Sequence, residues 1–239
     1  MSANAGAREI WLDQDGGWED VVALAILLQS KNVIVKGVTI TPGIATAALA
    51  RERTLMLLDA LQEKTLRIVD DIPAGADVLA TGPLTRVAAL IRSRRSPKAL
   101  TWMGGAVGVA GNAKGGAEWN AASDGEALRA VLASPLPFTI CPLDLTNQFP
   151  SKADVVSGTG PVLQEIAKAY AEKDRYWWDE LAAASIVAPG LFRVEPMLLR
   201  STSGGQLHRD AKGRTVRVLT RCDRDGFIAL LRRVGLSLS

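Results

Sequence analysis

Four carboxylates fall within eight residues in Asp13-Gln14-Asp15-Gly16-Gly17-Trp18-Glu19-Asp20. Like charges this close repel, so gathering them at one turn takes a cation, a shared proton or hydrogen-bond donors. A hard metal ion would fill that role. A second account is local: Asp caps helices, Glu and Asp favour the first helical turn, and Asp-Gly is ordinary turn chemistry. That covers Glu19 and Asp20. It covers Asp13 and Asp15 less well, because they leave a strand on the same side, two residues apart. Spacing alone is met equally by a capped turn and by an acidic ligand site.

The rest of the chain narrows the chemistry. Its single histidine, His208, lies in a polar stretch between Gly204 and Gly213, which removes HExxH zinc helices and most Ser-His-Asp or Cys-His machinery. Cys141 and Cys222 are far apart with no CxxC spacing, so neither a thiolate zinc site nor a disulfide framework is indicated, and a reducing compartment fits. If the chain is an enzyme, carboxylates and a hard metal carry the reaction.

The elements that must position these groups alternate. Glu9-Ile10-Trp11-Leu12 reads as a buried strand and Val21–Leu28 as a core-facing helix. Strands are expected at 9–13, 33–41, 77–81, 99–103 and 138–144, with helices at 20–30, 45–61, 83–93 and 124–133 between them. This is the rhythm of an α/β fold with a mostly parallel sheet. Helices at about 161–173 and 176–188, β-rich segments near 192–203 and 215–221 and a last helix near 224–234 follow. With 239 residues, 48% of them hydrophobic, the expectation is one domain spanning 1–239. In such a sheet ligands bind at the carboxyl ends of the strands. The acidic turn, Thr81-Gly82-Pro83-Leu84, Met103-Gly104-Gly105 and Asp144-Leu145-Thr146-Asn147 all fall there.

Net charge is only +3, and the basic groups Arg92-Arg94-Arg95 and Arg232-Arg233 read as solvated helix ends, so no nucleic-acid partner is expected. The N-terminus has no apolar signal core and no run approaches the ~20 apolar residues of a membrane span. A soluble, cytoplasmic protein with no membrane partner is the expectation.

Taken together, these segments resemble the inosine-uridine-preferring nucleoside hydrolase family, most closely its purine-specific branch. The likeness rests on the acidic opening turn, Thr-Gly-Pro-Leu-Thr at 81–85, Met-Gly-Gly-Ala-Val-Gly-Val-Ala-Gly-Asn at 103–112, Ala-Glu-Trp-Asn at 117–120, Leu-Asp-Leu-Thr-Asn at 143–147 and Tyr-Trp-Trp-Asp-Glu-Leu-Ala-Ala-Ala at 176–184. The resemblance implies a nucleoside hydrolase-like domain that cleaves the N-glycosidic bond of ribonucleosides, purines preferred. It implies Ca2+ held by Asp15, Asp20, Asp179 and the Thr81 carbonyl, an all-oxygen set suited to that ion. Asp15 then matches the general base. Glu19, Met103, Asn112, Glu118 and Asn120 match ribose-pocket residues, and Trp178 matches the aromatic that stacks on the base. A homo-oligomer, dimer or tetramer, is implied as well. Of Tyr176-Trp177-Trp178, core packing and base stacking are each expected to take one.

Three departures qualify the match. The stretch from Thr41 to Thr81 is much shorter than in the family and supplies no second stacking aromatic. Gly17 and Glu19 stand where the purine branch has Asn and Asp, and Ile44 stands where the family has a polar ribose contact. They leave a second reading, a metal-dependent nucleoside or ribosyl binder with weak or no turnover. A third, a phosphoester hydrolase, is opposed by the lack of Lys or Arg in the motif segments.

Overall fold

Along the first strand, β1 (Arg8–Gln14), Ile10 and Leu12 enter one apolar layer while Trp11 packs with another on the opposite face. This is the period-two alternation of a strand covered on both sides. The computed structural model describes residues 6–151, 161–171 and 175–234. After β1 come α1 (Trp18–Leu28), β2 (Val33–Ile40), α2 (Ala47–Ala60), β3 (Asp77–Ala80), α3 (Thr85–Arg92), β4 (Ala99–Met103), α4 (Trp119–Ser123), α5 (Gly125–Ala133) and β5 (Phe138–Cys141). Then follow α6 (Leu143–Thr146), α7 (Pro161–Ala171), α8 (Asp179–Val187), a 3-10 turn at Pro189–Leu191, β6 (Phe192–Ser201), β7 (Leu207–Arg209), β8 (Arg214–Cys222) and α9 (Arg224–Val234).

The eight strands form one sheet in the order β2-β1-β3-β4-β5-β8-β6-β7. All neighbours from β2 to β8 are parallel, and β6 runs against both β8 and β7. The mostly parallel α/β fold read from the sequence is therefore present. The chain moves from β1 to β2 on one side and then returns to place β3 on the other, so the crossovers part at the carboxyl ends of β1 and β3. That is where an open α/β sheet leaves a crevice. Asp15 follows β1 there, and Thr81 follows β3.

Two apolar layers sandwich the sheet. One joins Ile10, Leu12 and Leu79 to α1, α8 and α9; the other joins Val78, Ala80 and Trp102 to α3 and α5. Helix α1 packs on α8, and both are buried almost all round, which explains the continuous apolar run at 21–28. The small side chains of Ala182, Ala183 and Ala184 let the two helices approach.

Where boundaries differ from expectation, backbone hydrogen bonds give the reason. The strand expected at 138–144 stops at Cys141, because Pro142 has no N–H for the ladder and the chain turns into α6. The helix expected at 176–188 begins at Asp179, since Tyr176 bridges Pro150 and Trp177 N donates to the Phe149 carbonyl at 2.9 Å. The last residues expected for the 161–173 helix lie outside the described residues. Arg92, Arg94, Arg95, Arg232 and Arg233 are exposed at helix ends.

Candidate active site

Every residue assigned from the sequence except Asp20 lines one cavity at the carboxyl edge of the sheet: Asp15, Glu19, Thr81, Met103, Asn112, Glu118, Asn120, Trp178 and Asp179, joined by Ile44 and Trp119. Asp20 lies directly behind it, 1% exposed. Its Oδ2 accepts from Gly17 N at 2.7 Å, and its Oδ1 accepts from the Thr81 hydroxyl. It thus caps the first turn of α1 and ties that turn to the end of β3. The capping account of the acidic turn therefore holds for this residue.

Asp15 is seated by backbone. Its Oδ2 accepts from Ile44 N at 3.1 Å. A Cβ at Gly43 would collide with Asp15 Oδ2, and one at Gly82 would stand 2.8 Å from Asp15 Cβ. Only glycine lets the two loops close on this carboxylate. Gly16 takes φ +88, the left-handed turn that brings the chain from Asp15 into α1. Asp13 has a different role: its carboxylate accepts from the Thr39 and Thr41 hydroxyls at 2.7 and 2.9 Å, fully buried between β1 and β2.

Burial sets the electrostatics. It pushes the carboxyls of Asp13 and Asp15 up to about 6. Asp20 is raised well above the usual range by burial and then by the Asp15 charge, and Asp179 by burial and then by the charges of Asp20 and Glu19. The Asp15 and Asp20 carboxyls are close enough for each to bear on the other's protonation. Among the described residues no Lys or Arg ion-pairs with Asp15, Asp20 or Asp179. As the side chains stand, no group of three His, Cys, Asp or Glu among those residues is arranged to hold a metal ion. The donor chemistry nevertheless fits a hard cation, since three buried carboxyls without a Lys or Arg partner, all raised chiefly by burial, are what a divalent ion relieves.

The polar residues of the 104–120 segment are tied to one another. Glu118 caps α4, accepting from Asn120 N at 2.9 Å, Ala121 N at 3.0 Å and Gly105 N at 2.9 Å. Burial still raises its carboxyl despite these donors. Asn112 Oδ1 accepts from Trp119 N at 2.8 Å, and Asn120 donates to the carbonyls of Thr81 and Met103. Asp144 Oδ2 accepts from Val107 N at 2.8 Å and its Oδ1 from Gly108 N at 2.6 Å, which ties that loop to α6; Asp144 itself does not line the cavity.

The aromatic run divides as expected at one point: Trp177 is 1% exposed against Tyr170 and Phe227, and Trp178 lines the cavity. The Trp178 indole N–H has no protein acceptor among the described residues. Trp119, 43% exposed, lines the same cavity and is not among the residues expected from the sequence. Its signal was present, because a large aromatic among the polar residues of Ala-Glu-Trp-Asn has no core to enter.

Comparison with known proteins bears on the family and the fold. The model of the family described as inosine-uridine preferring nucleoside hydrolase matches residues 63–229. A pyrimidine-specific ribonucleoside hydrolase RihA of Shewanella sp. (strain ANA-3) is 29% identical over 184 positions, covering 64% of this chain and 58% of that protein. The protein of the same name from Shewanella baltica (strain OS185) is 26% identical over 302 positions, covering 94% of this chain and 95% of that protein. The second alignment is longer than the chain itself, so more than sixty positions of the relative have no counterpart in these 239 residues. The crystal structure of an inosine-uridine preferring nucleoside hydrolase from Bacillus anthracis superposes with a TM-score of 0.80 at 24% identity, over 95% of this chain and 98% of that one, a likeness of fold. On a match spanning most of its length, the chain belongs to the inosine-uridine preferring nucleoside hydrolase family, a family of hydrolytic enzymes.

Proposed function

We propose that the chain hydrolyses ribonucleosides to ribose and free base, with Ca2+ as cofactor and purines preferred. The observation that carries this reading is the convergence of Asp15, Asp179 and Thr81 on one cavity that two indoles also line. Asp15, Asp20, Asp179 and the Thr81 carbonyl would hold the ion. When bound, it supplies positive charge that offsets the carboxylates and lowers the pKa of a coordinated water.

The chain's own residues do the rest. Asp15 accepts a proton from the attacking water as the water oxygen bonds to C1′. The C1′–N bond breaks with its electron pair passing to the base, and the departing base takes a proton from solvent. Charge on the sugar is oxocarbenium-like in this step, and the carboxylates of Asp15 and Glu19 face it. Met103, Asn112, Glu118 and Asn120 shape the ribose end. Trp178 stacks on the base, and Trp119 stands in for the second aromatic that the shortened 41–81 segment lacks. The Shewanella relatives are named for pyrimidine nucleosides; two indoles favour the larger purine face here.

Incubation with inosine, guanosine, uridine and cytidine, with and without a chelator, tests the proposal by free ribose. Release from purine nucleosides that a chelator stops is expected, and no release from any of the four would overturn it. The missing positions favour a second reading, a nucleoside binder without turnover, which predicts binding of inosine with no ribose formed. A homo-oligomer is part of the proposal, tested by light scattering.

A further inference from the structure

Arg175 plays no part in the site as described, yet it is the one cation among the described residues that pairs with a carboxylate lining the cavity. Its Nη1 lies 3.0 Å from Glu19 Oε2, across 156 positions of sequence, and the two side chains are 22% and 15% exposed. The arginine is itself anchored. Its Nε donates to the Ala169 carbonyl at 3.1 Å, its guanidinium lies 5.8 Å from the centroid of the Tyr170 ring, and its own carbonyl accepts from Ser151 N at 2.8 Å. Held by the Ala169 carbonyl of α7 and by Ser151 N, it has anchors besides Glu19. Glu19, on the first turn of α1, meets it.

The pairing bears on length. A glutamate reaches about 1 Å further than an aspartate, and a misplacement of that size at a sugar contact is costly. The ion pair commits Oε2 to the guanidinium, while Glu19 itself lines the cavity.

We propose that Arg175 is a positioning residue that retracts Glu19, so that a single carboxylate oxygen meets the sugar of a bound nucleoside. This rests on the nucleoside hydrolase reading above. The pair also bridges the start of α1, which carries Asp20, and the segment leading into α8, which carries Asp179. A purely structural clamp between those helices is therefore the alternative the experiment must separate.

The test is a double-mutant cycle on the full chain with inosine and uridine, reading KM and kcat separately. Arg175→Met releases Glu19 into the sugar space, with KM rising about tenfold and kcat changing less than about threefold. Glu19→Asp alone leaves the shorter side chain drawn toward Arg175 and raises KM similarly. Combining the two restores KM to within about threefold of the parent, because a free aspartate needs no retraction. A structural clamp predicts the opposite: the double variant is as poor as the worse single one. Should Arg175→Met fail to fold, Arg175→Lys keeps charge and stem, and its smaller KM rise is likewise reversed by Glu19→Asp. If the parent binds nucleoside without turnover, Kd from tryptophan fluorescence replaces KM in the same cycle. Unchanged KM in the arginine variants, or no recovery in the double, overturns the positioning role alone. No binding by the parent overturns it together with the nucleoside reading.

Discussion

The side-chain nitrogen of Asn120 donates to the carbonyl of Thr81 at 3.0 Å, joining α4 to the end of β3 across 39 positions of sequence. The same nitrogen reaches the Met103 carbonyl at 3.1 Å, so one amide pins two neighbouring strand ends at the crevice. Asn120→Asp would turn that donor into an acceptor facing two carbonyls. We expect a loss of about 1–3 kcal/mol in stability, read from the urea midpoint, together with loss of activity.

Asp15→Asn removes the proposed base while keeping its size. The expected outcome is a fall in ribose release of about 10²–10⁴-fold with the fold retained. Activity equal to the parent would remove Asp15 from the mechanism.

Gly43→Ala leaves every functional side chain in the sequence but puts a methyl where Asp15 Oδ2 lies. Displacing the carboxylate by about 1 Å should cost on the order of 10²-fold in kcat. Circular dichroism and ribose release on the same sample check that the fold survives and the rate does not.

Stability without calcium should fall as pH rises. Asp13 and Asp15 titrate near about 6 and Glu180 near about 8 when folded, all raised chiefly by burial. Unfolded carboxyls titrate at about 4, so the folded state binds more protons between these limits. The stabilising contribution is full below about pH 4 and is lost as pH climbs through about 6 to about 8. Chelated protein should therefore melt at lower temperature at about pH 8.5 than at about pH 5. Added Ca2+ should raise the melting temperature most at the higher pH, where the carboxylates are ionised. Differential scanning fluorimetry at both pH values checks both statements.

Trp178→Ala and Trp119→Ala should each weaken purine nucleoside binding by about 1–3 kcal/mol, the range for a base stacked on an aromatic. Fluorescence titration with inosine and uridine measures this. A larger loss for inosine supports purine preference, and equal losses count against it.

Much of this molecule was legible in local pattern. The alternation of short apolar strands with helices gave the parallel sheet, because periodicity and turn chemistry are written within ten or twenty residues. The strand ends alone place Asp15, Thr81 and Met103 at one edge of the sheet. What local pattern left open was how each polar atom is used. Asp13 and Asp15 look alike in sequence, yet Thr39 of β2 and Thr41 just beyond it absorb Asp13, while Gly43 and Gly82 leave Asp15 at the cavity. Glu118, matched to the ribose pocket by resemblance, is bound to three backbone N–H groups. Arg175 carries no local signal that it meets Glu19. Secondary structure follows from neighbours in the chain, whereas a carboxylate's charge and reach depend on burial and on partners that only folding brings within 3 Å.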